Sequence, residues 1–104
     1  MREIPEQQIA AMAPNVNAVN NARKIVKSGG FTEHARSEDD TFYMGSCKGS
    51  GSSAYRVTLD FADNDAPVCR CSCPSRQFPC KHGLALMMEL SQGRHWDTVS
   101  YTHL

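Results

Sequence analysis

Cysteine and histidine, the side chains that hold zinc most often, crowd into one stretch, Cys71–His82, which reads CSCPSRQFPCKH. Cys71 and Cys73 stand one residue apart, a six-residue spacer follows, and Cys80 and His82 again stand one apart. Three thiolates and one imidazole form one of the closed tetrahedral ligand sets of structural zinc. Pro74 follows Cys73 and Pro79 precedes Cys80. Each proline fixes its own φ and turns the residue before it away from helix, so the spacer is expected as a loop that lets the two pairs face each other. Cys69 adds a second, overlapping Cys-x-Cys pair, so spacing alone leaves two choices for the first pair.

Other chemistries fit these residues less well. A disulfide framework is disfavoured because neighbouring Cys-x-Cys pairs bridge poorly and the chain has an odd number of cysteines, five. An iron–sulfur cluster would use four thiolates at other spacings. A zinc deaminase needs His-x-Glu ahead of Pro-Cys-x-x-Cys; no His-x-Glu occurs, and Pro79-Cys80-Lys81-His82 has the wrong spacing. Four protein ligands leave no open position for substrate, so the expectation is a structural site and no enzyme. Zinc with three thiolates and a neutral imidazole carries a net negative charge. Arg70, Arg76 and Lys81 surround the motif with no acid between them. They either neutralise the thiolates or reach for phosphate.

The block resembles the SWIM-type zinc finger, whose pattern is Cys-x-Cys, a variable spacer, then Cys-x-His. Pro74, the Pro79-Cys80-Lys81-His82 tetrapeptide and the following Gly83-Leu84-Ala85-Leu86 carry the likeness, as does Gly45–Gly51 leading into Tyr55-Arg56-Val57. It is strong over Gly45–Leu90, weaker back to about Pro14, and does not extend to the last ten or so residues. Because the family's proline follows the second ligand, the resemblance implies Cys71, Cys73, Cys80 and His82 as ligands, with Cys69 a bystander. It also implies a module that binds DNA or protein, commonly as part of a larger, bacterial protein.

The elements that must position this block are read from periodicity. Pro5-Glu6-Gln7-Gln8 opens either a short helix or a loose arm. From Pro14 or Asn15 to Lys27, Ala18, Val19, Ala22, Ile25 and Val26 recur at helical spacing, and Gly29-Gly30 stops the helix. Phe31–Asp40 reads as a polar connection with a solvated acidic turn, and His34 as a surface residue. Thr41–Cys47 and Ala54–Phe61 read as a β-hairpin. Tyr55, Val57, Leu59 and Phe61 alternate with Arg56, Thr58 and Asp60, so one face is buried and the other wet. Cys47 is expected to be packed rather than bound. A helix follows from about Lys81 to Leu90, and Gly93 ends it.

The expected fold class is therefore α+β: a small zinc-stabilised domain with an N-terminal helix, a β-hairpin, a zinc loop and a C-terminal helix, giving a ββα-like core. Residues 1–40 form the helical segment and linker, 41–92 the hairpin and finger, and 93–104 a tail. Val99–Leu104 resembles a translated sequencing-adapter tail, so those residues are expected to be foreign and the natural chain longer.

Length and charge bound the function. At 104 residues there is room for one small domain, for which a metal is a common supplement. Eleven basic and eleven acidic residues cancel, so no bulk charge announces nucleic acid. Neither a signal-peptide core nor an apolar run of membrane-spanning length is present, and the expected compartment is the reducing cytoplasm. The expected function is a zinc module that binds DNA through Arg56, Arg70, Arg76 and Lys81. The rival is a protein-interaction module anchored by Phe78. Zinc is the expected cofactor, with no small-molecule substrate and no membrane.

Overall fold

The computed structural model describes residues 4–48, 54–61, 67–73, 80–92 and 96–99. Within them the chain runs α1 (Glu6–Met12), α2 (Val16–Lys27), β1 (Phe31–Ser37), β2 (Phe42–Lys48), β3 (Ala54–Asp60), β4 (Val68–Cys71), α3 (Lys81–Leu90) and β5 (Asp97–Val99). The strands form a single sheet in the order β4-β3-β2-β1-β5, with all neighbours antiparallel except β1 and β5, which are parallel. The α+β class and the hairpin followed by a helix are as expected. The hairpin is, however, the middle of a wider sheet. No helix among the described residues is long and apolar enough to cross a membrane.

Local chemistry explains the helical ends. Asn15 caps α2, its side chain accepting the Ala18 N–H at 2.9 Å. Gly29, with φ of 66°, takes the left-handed step after the helix that a side chain would resist. The N-terminal arm is helical and packed. Ile4 and Ile9 are buried, and the Ser91 hydroxyl both accepts the Ile4 N–H and donates to its carbonyl, at 3.0 and 2.9 Å. An ion pair from Arg23 to Glu6 ties α2 to α1.

The core lies between the helices and one face of the sheet. Tyr43, Cys47, Val57 and Leu59 point inward from β2 and β3. Ile9 of α1, Ala22 of α2, and Leu84, Leu86, Met87 and Leu90 of α3 meet them. Each fully buried aliphatic of this size stabilises the fold by about 1.5–3 kcal/mol, so α3 is anchored mainly by its own apolar surface. Gly45 of β2 permits that approach. A Cβ there would stand 2.8 Å from both Leu86 Cδ1 and Phe31 Cδ1.

Three sequence readings need correction. Residues 31–37 of the expected polar connection are strand β1, paired along β2 from Phe31↔Cys47 to Arg36↔Tyr43. The register shifts between Phe31 and Glu33, which breaks the period-two pattern that marks strands. His34 is not a surface residue; its side chain is 9% exposed and faces Glu89 of α3, itself 1% exposed, with Nε2 3.1 Å from Oε1. The expected tail contributes to the fold, since Trp96 is 2% exposed and β5 pairs with β1. The Trp96 ring sits edge-on to Tyr43 and His34, at 5.5 and 5.0 Å between centroids. Residues 100–104 lie outside the described set.

Candidate metal centre

Strand geometry sets the first pair of ligands. Side chains alternate along β4, so Cys69 and Cys71 share the face that looks toward α3, while Arg70 turns outward and is exposed. Ser72 extends the pairing one step beyond β4. Its N–H donates to the Arg56 carbonyl at 3.1 Å, and its hydroxyl accepts the Arg56 N–H at 2.9 Å. These two bonds hold the bend between Cys71 and Cys73 against β3. Sequence reasoning missed Ser72, although it is the x of the Cys-x-Cys pair and must face away from the metal.

Helix geometry sets the second pair. Cys80 is the N-cap of α3, and His82 lies in its first turn. The two are buried, at 3% and 7% exposure, and the helix N-terminus turns its positive end toward the sulfurs. The Tyr55 ring of β3 packs against the His82 imidazole, 4.9 Å between centroids, and restricts its orientation.

One ligand atom from each of Cys71, Cys73, Cys80 and His82 falls within 4.8 Å of all the others. His82 presents Nδ1, which lies 3.7 Å from Cys71 Sγ and 3.9 Å from Cys80 Sγ. Zn–S bonds of about 2.3 Å and Zn–N bonds of about 2.0 Å would make tetrahedron edges of about 3.5–3.8 Å. Donor chemistry and spacing both fit a zinc ion. The ion would join β4 to the start of α3, a cross-link between two elements with no local sequence contact.

The thiols are poised unequally. The Cys71 thiol bonds to the Cys80 sulfur and holds the Cys80 pKa well down, helped by His82 and the Gly83 N–H and opposed by burial. The same bond, with burial, pushes Cys71 up. Cys69 is different: burial, then the nearby Cys80 and Cys73 charges, push it up to about 12. Cys69 also stands outside the four-residue cluster. Cys47 is 1% exposed in the core, and burial raises its pKa too.

Residues 55–90 match the family model of the SWIM zinc finger. Over these residues the chain is similar to the SWIM zinc finger. No curated protein and no solved structure matches the chain. The matched span starts at Tyr55, which packs on His82, and ends at Leu90, the last residue of α3. The matched span thus holds β3 from Tyr55, β4 and α3, while β1, β2, β5 and the first two helices complete the sheet and core.

The basic residues singled out in the sequence do not form one group. Arg56 and Arg70 lie on the outer face of the sheet, Arg56 opposite Ser46 and Arg70 opposite Thr58. Lys81 is exposed at the start of α3, in the helical layer across the metal site. Arg76, and Phe78 with it, falls outside the described residues.

Proposed function

We propose that this chain is a zinc-stabilised nucleic-acid-binding module, with DNA as the ligand and no catalytic step of its own. The observation that carries the reading is the pair Arg56 and Arg70. Both are exposed on neighbouring strands beside the metal centre, and neither forms an ion pair among the described residues. An exposed guanidinium with no carboxylate partner keeps its charge and its donors for phosphate. Zinc takes no part in binding. It fixes β4, and therefore Arg70, relative to Arg56, while Cys71, Cys73, Cys80 and His82 leave it no open position. Zero net charge limits the affinity, since only a few phosphates are met.

The test is an anisotropy titration of the zinc-loaded chain against labelled DNA, single-stranded and duplex. Two phosphate contacts make affinity fall roughly ten-fold between about 50 and 200 mM salt. Charge reversal at Arg70 is expected to weaken binding, and removing zinc to abolish it. No binding to either form of DNA at low salt refutes the reading.

A further inference from the structure

The ladder between β3 and β4 ends between two of the metal ligands. Its last regular pair is Val57↔Cys71, so Arg56 and Ser72 stand opposite each other one step further on. Hydrogen-bonded and non-hydrogen-bonded pairs alternate in an antiparallel ladder. The Arg56–Ser72 step is of the hydrogen-bonded kind, since the Ser72 N–H donates to the Arg56 carbonyl at 3.1 Å. A regular ladder would return the Arg56 N–H to the Ser72 carbonyl. Here the Ser72 hydroxyl accepts that N–H instead, at 2.9 Å. Two residues on, Pro74 has no N–H, so the next hydrogen-bonded step has no donor on this strand.

We propose that Ser72 is a positioning residue for the zinc ion, its hydroxyl standing in for its own carbonyl so that the chain can bend between Cys71 and Cys73. The need for a bend is geometric. Residues two apart on a straight strand are separated by about 6.8 Å. Two sulfurs on one zinc ion are separated by about 3.8 Å. The ligand atoms of Cys71 and Cys73 are at most 4.8 Å apart, so the chain has already left the line of β4. Leaving that line takes the Ser72 carbonyl out of the ladder and would strand the Arg56 N–H. A hydroxyl one carbon from the backbone reaches that N–H from the same residue, while the Ser72 N–H keeps its own bond. With alanine at 72, the Arg56 N–H regains this partner only if the carbonyl returns to the ladder. That return straightens the strand and draws the two sulfurs apart. The role is toward zinc and does not depend on the nucleic-acid reading above.

The experiment measures the zinc affinity of the full chain by competition with a chromophoric chelator, and amide exchange at Arg56 in the zinc-loaded chain by NMR. Ser72→Ala is expected to bind zinc about ten-fold more weakly, the scale on which a group that orients a metal ligand acts, and its Arg56 amide should exchange faster. Ser72→Thr and Ser72→Val have the same shape and differ in the hydroxyl. The threonine variant should hold zinc within about three-fold of the parent and keep Arg56 protected, while the valine variant should lose about ten-fold. This matched pair decides the matter even if Ser72→Ala folds poorly. Ser46→Ala, opposite Arg56 on β2, removes a hydroxyl from the same surface and should stay within about two-fold of the parent. Parent-like affinity in Ser72→Val overturns the inference and leaves the metal centre standing. So does a loss in Ser72→Thr or in Ser46→Ala as large as in Ser72→Val. A parent chain that takes up no zinc overturns the inference together with the metal centre.

Discussion

The pair of His34 and Glu89 offers the sharpest test of how this fold is held. The two side chains are 9% and 1% exposed, link β1 to α3, and meet at 3.1 Å. In Glu89→Met the imidazole stays buried without its hydrogen-bond partner, and leaving a buried polar group unpaired costs about 1–3 kcal/mol. Domains of this size have about 5–15 kcal/mol in total, so the loss is a large share of it. With a urea slope of about 2 kcal/mol per molar, the midpoint should fall by about 1 M. The readout is the emission of Trp96, the one tryptophan, whose ring lies 5.0 Å from that of His34. His34→Phe, Glu89→Met replaces both partners by apolar groups of similar size beside Phe31 and Trp96. It should recover most of the loss, since the imidazole is no longer left buried without its carboxylate. If Glu89→Met unfolds within about 0.5 M of the parent, or the double variant is no better than the single, the pair does not hold β1 to α3 as argued.

Three other outcomes follow from the same structure. Gly45→Ala should cost about 1–3 kcal/mol, because the new methyl meets Leu86 and Phe31, both fixed in the core; an unchanged melting temperature would refute the close approach. The Ser37 hydroxyl, followed by Thr41, holds the Asp39 carboxyl below 3.8. Its stabilising effect on the β1–β2 turn is therefore present above that value and lost as pH falls through the lower folded-state pKa. The Thr41 amide shift, followed by NMR, should titrate with a midpoint below 3.8, and a midpoint at or above it would contradict the bond. Mass spectrometry should find one zinc per chain, with less in Cys71→Ser and in His82→Ala. Chelation should strip amide protection from β4 and the first turn of α3 while β1–β2 pairing persists; uniform protection without zinc would show that the metal is not a cross-link.

The metal centre was legible because its geometry is local. Cys71 ends β4 and Cys73 follows within one bend, and Cys-x-His at a helix start puts both ligands in one turn. Only the assignment among three cysteines needed more, and the alternation of β4 with the outward turn of Arg70 and Ser72 shows how the strand and its bend are built. The strict alternation from Tyr55 to Phe61 likewise announced β3, and apolar spacing announced α2 and α3. What the sequence could not decide depends on contacts between distant residues. Strand β1 escaped notice because its bulge erases period two, and β5 because three residues carry no period at all. His34 looked like a surface residue because nothing nearby in sequence reveals Glu89, fifty-five positions away. The four basic residues looked like one patch along the chain. Only the pleat of the sheet and the packing of α3 behind it place Arg56 and Arg70 on one side and Lys81 on the other. Ligand identity is a matter of residue type and spacing, which the chain carries locally. Which surfaces face water is a matter of how layers stack, which only the folded whole decides.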